Sequence, residues 1–440
     1  MIKTFYSYSF GCRVNQAEKE VIDQEMQNSG FSLNKESPNF VIINTCAVTN
    51  KAEREAKNLI YRLKRENPQT QIVVTGCSAT YWQKHKLLKN LPIDILVDNV
   101  NKEFLVKILQ KHLSNLSLNT GGSKLKIIEL DKYLNSGRAL VKIQDGCQRF
   151  CSFCIVPYLR GLPKSYKINE IISQINKFTN LKEVILTAIN TEAFGYDSKE
   201  KFVTLIDQTI KATLVPRISF GSIHPLSINE EFLKFYKQVL PLKRIVNFFH
   251  VPIQSGSNKI LNLMKRGYSR EEMMEKLNQL HKINPLALIA TDVIVGFLDE
   301  TNKDFQDTVD FLEKSPIFKF HIFRFSKRNN TAAHYMAKNL KEPTHQEKIE
   351  RAKILAKLGK EKYERFLQKN VGRTSTVLFL NNNIDGFQEA LLDNQLPIFI
   401  KIIKPIQLTA ACLPAGRLYE AKILVYKKGK LFGRIIKMRA

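Results

Sequence analysis

The sequence predicts an α/β protein built from an N-terminal doubly wound parallel sheet domain, a partial (β/α) barrel and a small C-terminal β-barrel. Three observations carry this reading. The first ~115 residues alternate apolar runs with helical periodicity, as in parallel units whose crossovers are helices. From about residue 133 the alternation resumes for six strand–helix repeats, which suits a barrel better than an open sheet. From about residue 372 short β-type runs joined by turns take over, and these suit a small barrel.

In chain order, residues 3–9 read as a strand and 16–28 as a helix. Residues 40–45 form a second strand, followed by a charged helix from Lys51. Residues 71–75 and 93–97 are the third and fourth strands, and a helix over 102–113 closes the unit. Residues 114–122, rich in Ser, Asn and Gly, read as a linker. The second region places strands at 139–143, 183–187, 217–220, 247–251, 288–295 and 318–325, with a helix over 346–367 leading outward. The tail offers strands at 374–380, 398–403, 419–426 and 432–437, and Lys428-Gly429-Lys430 looks like a hairpin tip. The expected domains are therefore 1–118, 133–365 and 372–440.

Charge points to a partner. Sixty-eight Lys and Arg against 41 Asp and Glu leave a formal net charge of +27. Such an excess favours a polyanion, because each cation near a phosphate releases a counterion. Part of it also fits a chain rich in Lys, Asn and Ile throughout. The start of the sequence lacks the charged-then-apolar pattern of a secretory signal, and no run approaches the ~20 apolar residues that span a bilayer. A cytoplasmic protein with no membrane association is the expectation.

Seven cysteines in a reducing compartment are buried apolar residues or metal ligands rather than disulfides. In Asp145-Gly-Cys-Gln-Arg-Phe-Cys-Ser-Phe-Cys154, Cys147, Cys151 and Cys154 follow the first strand of the second region. Three thiolates this close can hold three irons of a [4Fe–4S] cluster, whose usual complement is four cysteines. The fourth iron is left open. Zinc would call for a fourth Cys or His at matching spacing, and none stands nearby in the sequence. Cys12, Cys46 and Cys77 each follow a predicted strand of the first domain. The C-terminal ends of parallel strands share one edge, where ligands bind, so a second cluster with an open iron is expected there. Cys412 has no such context and reads as a small apolar residue.

The Cys147-x3-Cys151-x2-Cys154 pattern, with an aromatic before the last cysteine, resembles the signature of radical S-adenosylmethionine enzymes. With the first triad and the β-rich tail, almost the whole chain resembles the methylthiotransferase family, whose last domain is an RNA-binding β-barrel called TRAM. Phe10-Gly-Cys-Arg-Val-Asn-Gln16, Asn44-Thr-Cys-Ala-Val-Thr49 and Lys51-Ala-Glu53 look like the branch acting on threonylcarbamoyladenosine in tRNA. His250-Val-Pro-Ile-Gln-Ser-Gly-Ser-Asn258, Asp292-Val-Ile-Val-Gly-Phe297 and Phe325-Ser-Lys-Arg328 continue the match. The resemblance implies two [4Fe–4S] clusters, one on Cys12, Cys46 and Cys77 and one on Cys147, Cys151 and Cys154, with S-adenosylmethionine as cosubstrate. It implies addition of a methylthio group to carbon 2 of threonylcarbamoyladenosine next to the anticodon. The alternatives are isopentenyladenosine in tRNA, or a ribosomal-protein side chain. Implied partners are a tRNA anticodon stem-loop, an electron donor of flavodoxin or ferredoxin type, and a sulfur source.

Asn190, Gln254 and Ser255 are candidates for cosubstrate contacts, each at a predicted strand end facing the barrel mouth, with turn or capping roles as the competing reading. Arg149 lies inside the cluster loop. His250 and His224 show no sequence partner that would mark a base and read as structural. Lys427, Lys428, Lys430, Arg434, Lys437 and Arg439 form a basic stripe suited to a phosphate backbone. The chain departs from the family pattern at Ala188 and Glu192, where glycines are usual, at Leu298-Asp299, where Pro-Gly is usual, and at Lys164 and Tyr166 in place of arginines. Added Cβ atoms beside a ligand can crowd it.

Overall fold

A computed structural model describes residues 3–114, 136–401 and 417–438. Most of the expected linker, Cys412 and Arg439 lie outside the described residues. The described chain divides into two compact units. The first holds residues 3–114, 145–163 and 326–331; the second holds 136–144, 164–325, 332–401 and 417–438. Compared with the boundaries expected from the sequence, the loop carrying Cys147, Cys151 and Cys154 groups with the N-terminal region.

In the first unit five strands, β1 (Thr4–Ser9), β2 (Ser32–Leu33), β3 (Phe40–Thr45), β4 (Gln71–Gly76) and β5 (Ile95–Val97), form one sheet in the order 2-1-3-4-5. Every pairing is parallel. Burial on both faces explains the continuous apolar runs. Val41, Ile43, Ile72 and Val74 pack on one side with Leu59, Ile60 and Trp82. Phe40, Ile42 and Val73 pack on the other with Ile22, Met26, Leu105 and Leu109. The helix Asn50–Glu66 starts where the Thr49 side chain accepts from the Ala52 amide, a cap worth ~1 kcal/mol. The helix Arg13–Asn28 begins three residues before the expected start.

The second unit continues with β6 (Arg138–Asp145), β7 (Lys164–Ser165), β8 (Glu183–Ala188), β9 (Arg217–Phe220), β10 (Phe248–His250), β11 (Leu288–Val295) and β12 (Lys319–Arg324). One sheet runs β7-β6-β8-β9 and the next β10-β11-β12. A parallel bridge between Ile218 and Ile245 links them into an open partial barrel. Its core is one cluster containing Val141, Val184, Phe220, Phe249, Ile289 and Val293.

The last strands, β13 (Thr374–Ile384), β14 (Phe387–Leu392), β15 (Pro397–Lys401), β16 (Leu418–Lys427) and β17 (Lys430–Met438), close into a barrel in the order 13-14-15-17-16. Lys428 and Gly429 both have positive φ, 47° and 78°, as a two-residue hairpin turn demands. β14 escaped the sequence reading because Gln388-Glu-Ala-Leu-Leu392 favours helix, and antiparallel pairing on both sides overrides that preference. This barrel seats on the N-terminal ends of the partial-barrel strands. Val246, Phe248, Leu288 and Ala290 share a core with Val377, Phe379, Ile398 and Leu431. Arg217, at the start of β9, donates to Glu183 at 2.9 Å and to the Leu391 and Leu392 carbonyls at 3.3 and 2.9 Å. The opposite, C-terminal strand ends carry the candidate residues of this unit.

Candidate metal centre

Three strand ends build the first site. Thr45 pairs with Gly76 and Ser9 with Asn44, so Cys46 and Cys77 leave the sheet from neighbouring, paired positions. In a sheet of order 2-1-3-4-5 the crevice lies between the first and third strands, and Cys12 and Cys46 follow those two. Gly11 brings the chain onto Cys46. Its φ is +88°, and a Cβ there would lie 2.3 Å from Cys46 Sγ, so only glycine permits the approach. Cys46 and Cys77 are buried and Cys12 is exposed.

The thiols feel one another. Burial first, then Cys12, push Cys46 up to about 12. Burial also raises Cys12, against the pull of the Arg160 guanidinium; its surface stays open to water although protein crowds its other sides. Such thiols are protonated at neutral pH, and metal binding releases the proton.

Charged groups surround this edge. Arg160, with a side chain 1% exposed, donates from Nε to Cys77 Sγ at 3.3 Å and from Nη1 to Glu18 and Asp145, both at 2.8 Å. Its Nη2 donates to Asn15 Oδ1 at 2.7 Å. Lys102 donates to Glu18 at 2.6 Å and to Asn44 at 3.2 Å. Asn99 Nδ2 lies 3.6 Å from Cys77 Sγ. None of these residues stands out in sequence; the one available signal was polarity at positions next to strand ends.

The second triad sits on the loop leaving β6. Gly146 has φ +72°, and a Cβ there would fall 2.2 Å from the Leu162 carbonyl oxygen. The Cys147 amide donates to the Gly161 carbonyl at 3.1 Å, closing the loop, and the Cys154 amide donates to the Cys151 carbonyl at 2.9 Å. The Arg149 amide donates to Cys147 Sγ at 3.5 Å. Phe150, φ +45°, holds an exposed ring edge-on to Tyr158 at 5.5 Å. Among the described residues no three His, Cys, Asp or Glu side chains converge tightly enough for a single ion. A cubane asks for something else, since each thiolate takes a separate iron. Three cysteines on separate strand ends, a glycine cradle and N–H donors aimed at sulfur fit that group.

In the second unit Asn190 follows β8. Its amide donates to Gln144 Oε1 at 2.9 Å, and its Oδ1 accepts from the Glu192 amide at 3.1 Å. Gln254 follows β10 with φ 74°, its amide donating to the Asp292 carbonyl. Ser255 is buried, its hydroxyl 3.2 Å from Thr308 Oγ1.

His250 is better partnered than its sequence surroundings suggest. Nδ1 lies 2.7 Å from Ser222 Oγ, just past β9, and Nε2 2.9 Å from Asp292 Oδ1, within β11, so His250 at the end of β10 links three neighbouring strands. His250 therefore does not lack partners, contrary to the expectation from sequence, because parallel strand order supplies neighbours that sequence distance hides. Glu192 approaches His224, with Oε2 3.4 Å from Nδ1. Asp299 keeps the turn expected of a glycine, at φ 59°, and pairs with Lys259 at 2.9 Å. The Lys142 ammonium stands 5.9 Å from the Tyr166 ring centre.

On the C-terminal barrel, Lys427, Lys428, Lys430, Arg434 and Lys437 are exposed. Lys430 lies over the Phe399 ring at 4.9 Å, and Phe399 and Phe387 both contact Phe432. This aromatic group under the basic stripe was not evident in the sequence, since β14 supplies Phe387.

Residues 4–98 match the family described as Uncharacterized protein family UPF0004, and residues 141–312 match the Radical SAM superfamily. A threonylcarbamoyladenosine tRNA methylthiotransferase MtaB from Aquifex aeolicus is 34% identical over 85% of this chain and 92% of its own length. The protein of the same name from Rickettsia prowazekii is 32% identical over 89% of this chain and 91% of its own. A tRNA-2-methylthio-N(6)-dimethylallyladenosine synthase from Thermodesulfovibrio yellowstonii is 31% identical over 99% of both.

Proposed function

The chain belongs to the radical S-adenosylmethionine methylthiotransferase family, and from that premise we propose that it adds a methylthio group to carbon 2 of threonylcarbamoyladenosine beside the tRNA anticodon. The observation that carries the reading is that both cysteine triads belong to one compact unit, each built around a glycine that a Cβ would obstruct. Cys12, Cys46 and Cys77 would hold one [4Fe–4S] cluster, and Cys147, Cys151 and Cys154 the other. When bound, these clusters and the cosubstrate supply one-electron cleavage of a sulfonium bond and a methylated sulfur for transfer.

The protein's own groups do the rest by orientation. A purine C2–H is not acidic enough for any side chain to remove its proton in water, so no general base is assigned to that bond. Asn190 and Ser255 have their side chains committed within the protein, and they serve the cosubstrate by fixing the main chain after β8 and β10. Gln254, held in the left-handed region directly before Ser255, is the side chain of the three assigned to direct contact. The basic stripe, with the half-buried rings of Phe387 and Phe432 on the same barrel, suits a folded RNA whose backbone needs cations and whose loop bases need stacking surfaces. The proposed reaction needs a one-electron donor of flavodoxin or ferredoxin type and a sulfur source, and with tRNA as substrate we assign it to the cytoplasm.

Mass spectrometry of nucleosides from a deletion strain tests this. Loss of methylthiolated threonylcarbamoyladenosine is expected, restored by the intact gene. Its persistence with loss of methylthiolated isopentenyladenosine moves the substrate to the other tRNA branch. Unchanged nucleosides with loss of a methylthio group from a ribosomal protein move it off RNA.

A further inference from the structure

We infer that Arg160 is a positioning residue for the N-terminal cluster: it hydrogen-bonds the Cys77 sulfur and ties that site to the loop bearing the other triad. The inference rests on the assignment of Cys77 as a cluster ligand. Arg160 ends the short helix Val156–Arg160, six residues beyond Cys154. All three edges of its guanidinium are committed. One faces Cys77 Sγ, one Glu18 and Asp145, and one Asn15 and Glu18.

Those partners are themselves fixed. Asn15 donates to the Phe10 and Thr45 carbonyls, both at 2.9 Å, and Glu18 receives Lys102. Asp145 directly precedes the Gly146-Cys147 turn. The carboxylates alone explain an ion pair, which a lysine would also satisfy. They do not explain the edge that faces Cys77 Sγ, which needs a planar fork held at one angle. Asn99 adds a second donor to the same sulfur while donating to the Leu159 carbonyl at 3.3 Å. Cys77 thus takes two side-chain donors, both anchored to the segment around residues 159–160. Hydrogen bonds and positive charge at a ligand sulfur favour the reduced, more negative cluster, raising its potential.

The test is an EPR-monitored redox titration of reconstituted full-length protein with iron and sulfide counts. The signal absent from a C12A/C46A/C77A variant identifies the N-terminal cluster. Arg160→Lys keeps a cation but loses the fork, and Asn99→Leu removes the second donor while sparing the ion cluster. With two clusters present, each change is expected to move that signal to a more negative potential and leave the other signal in place. If Arg160→Lys fails to fold, Asn99→Leu decides. Unmoved potentials in proteins that hold both clusters, whatever their melting temperatures, overturn the role of these donors. Two signals that survive C12A/C46A/C77A overturn the ligand assignment instead, and this inference with it.

Discussion

The two units distribute buried charge differently: the first gathers it at the strand ends that bear the cysteines, whereas the second places it at both ends of its strands, with Glu300 and Arg351 paired just beyond the end of β11. In the first, Arg160, Lys102, Glu18 and Asp145 crowd the C-terminal strand ends where Cys12, Cys46 and Cys77 emerge. In the second, the buried Glu183–Arg217 pair sits at the strand starts, and Lys362 lies behind the sheet against the Leu312, Glu313 and Ser315 carbonyls. Buried ion pairs are poor sources of net stability and are expensive to break. Around the cysteines they orient ligands, and at the strand starts the Glu183–Arg217 pair fastens one barrel to another.

The sharpest test removes ligands from the first unit. Changing Cys12, Cys46 and Cys77 to alanine should halve the iron and acid-labile sulfide and abolish methylthiolation. Cleavage of S-adenosylmethionine to 5′-deoxyadenosine should continue. Loss of that cleavage as well would mean the triads do not act as separate sites.

Arg217→Ala should act on stability instead. It leaves Glu183 buried without its partner and frees two carbonyls of the C-terminal barrel, for a loss of about 3–5 kcal/mol in denaturant unfolding with cluster content unchanged. A fall in iron content at equal folding would show that Arg217 supports the cluster sites and not only the seat of the C-terminal barrel.

The smallest effect concerns pH. Burial first, with Arg365 second, pulls the Lys362 ammonium down to about 8, against about 10.4 in an unfolded chain. Between those values the unfolded chain holds the proton that the folded one has released, so stability should rise as pH climbs from about 8 to about 10. In Lys362→Met that rise should flatten in melts taken across the range, and an unchanged slope would assign it to another group.

The sequence made the second triad readable because Cys147, Cys151 and Cys154 lie within eight residues of one another on one loop. The strands carrying the first triad were also legible, since buried parallel strands are continuous apolar runs, and β3 and β11 match their expected spans. Strand β14 was hidden by residues that favour helix until neighbours paired with it. The Ser222–His250–Asp292 chain was hidden because three strands far apart in sequence supply it.

By itself the sequence determined the order of strands and helices, the local cluster loop and the glycines beside both triads, because these follow from periodicity and from contacts between near neighbours. Only the tertiary structure decided that Arg160 reaches Cys77, that the cluster loop groups with the N-terminal sheet, and that the C-terminal barrel plugs the strand starts. The physical reason is distance along the chain: hydrogen bonds and buried charges between remote segments exist only after parallel packing has set those segments side by side.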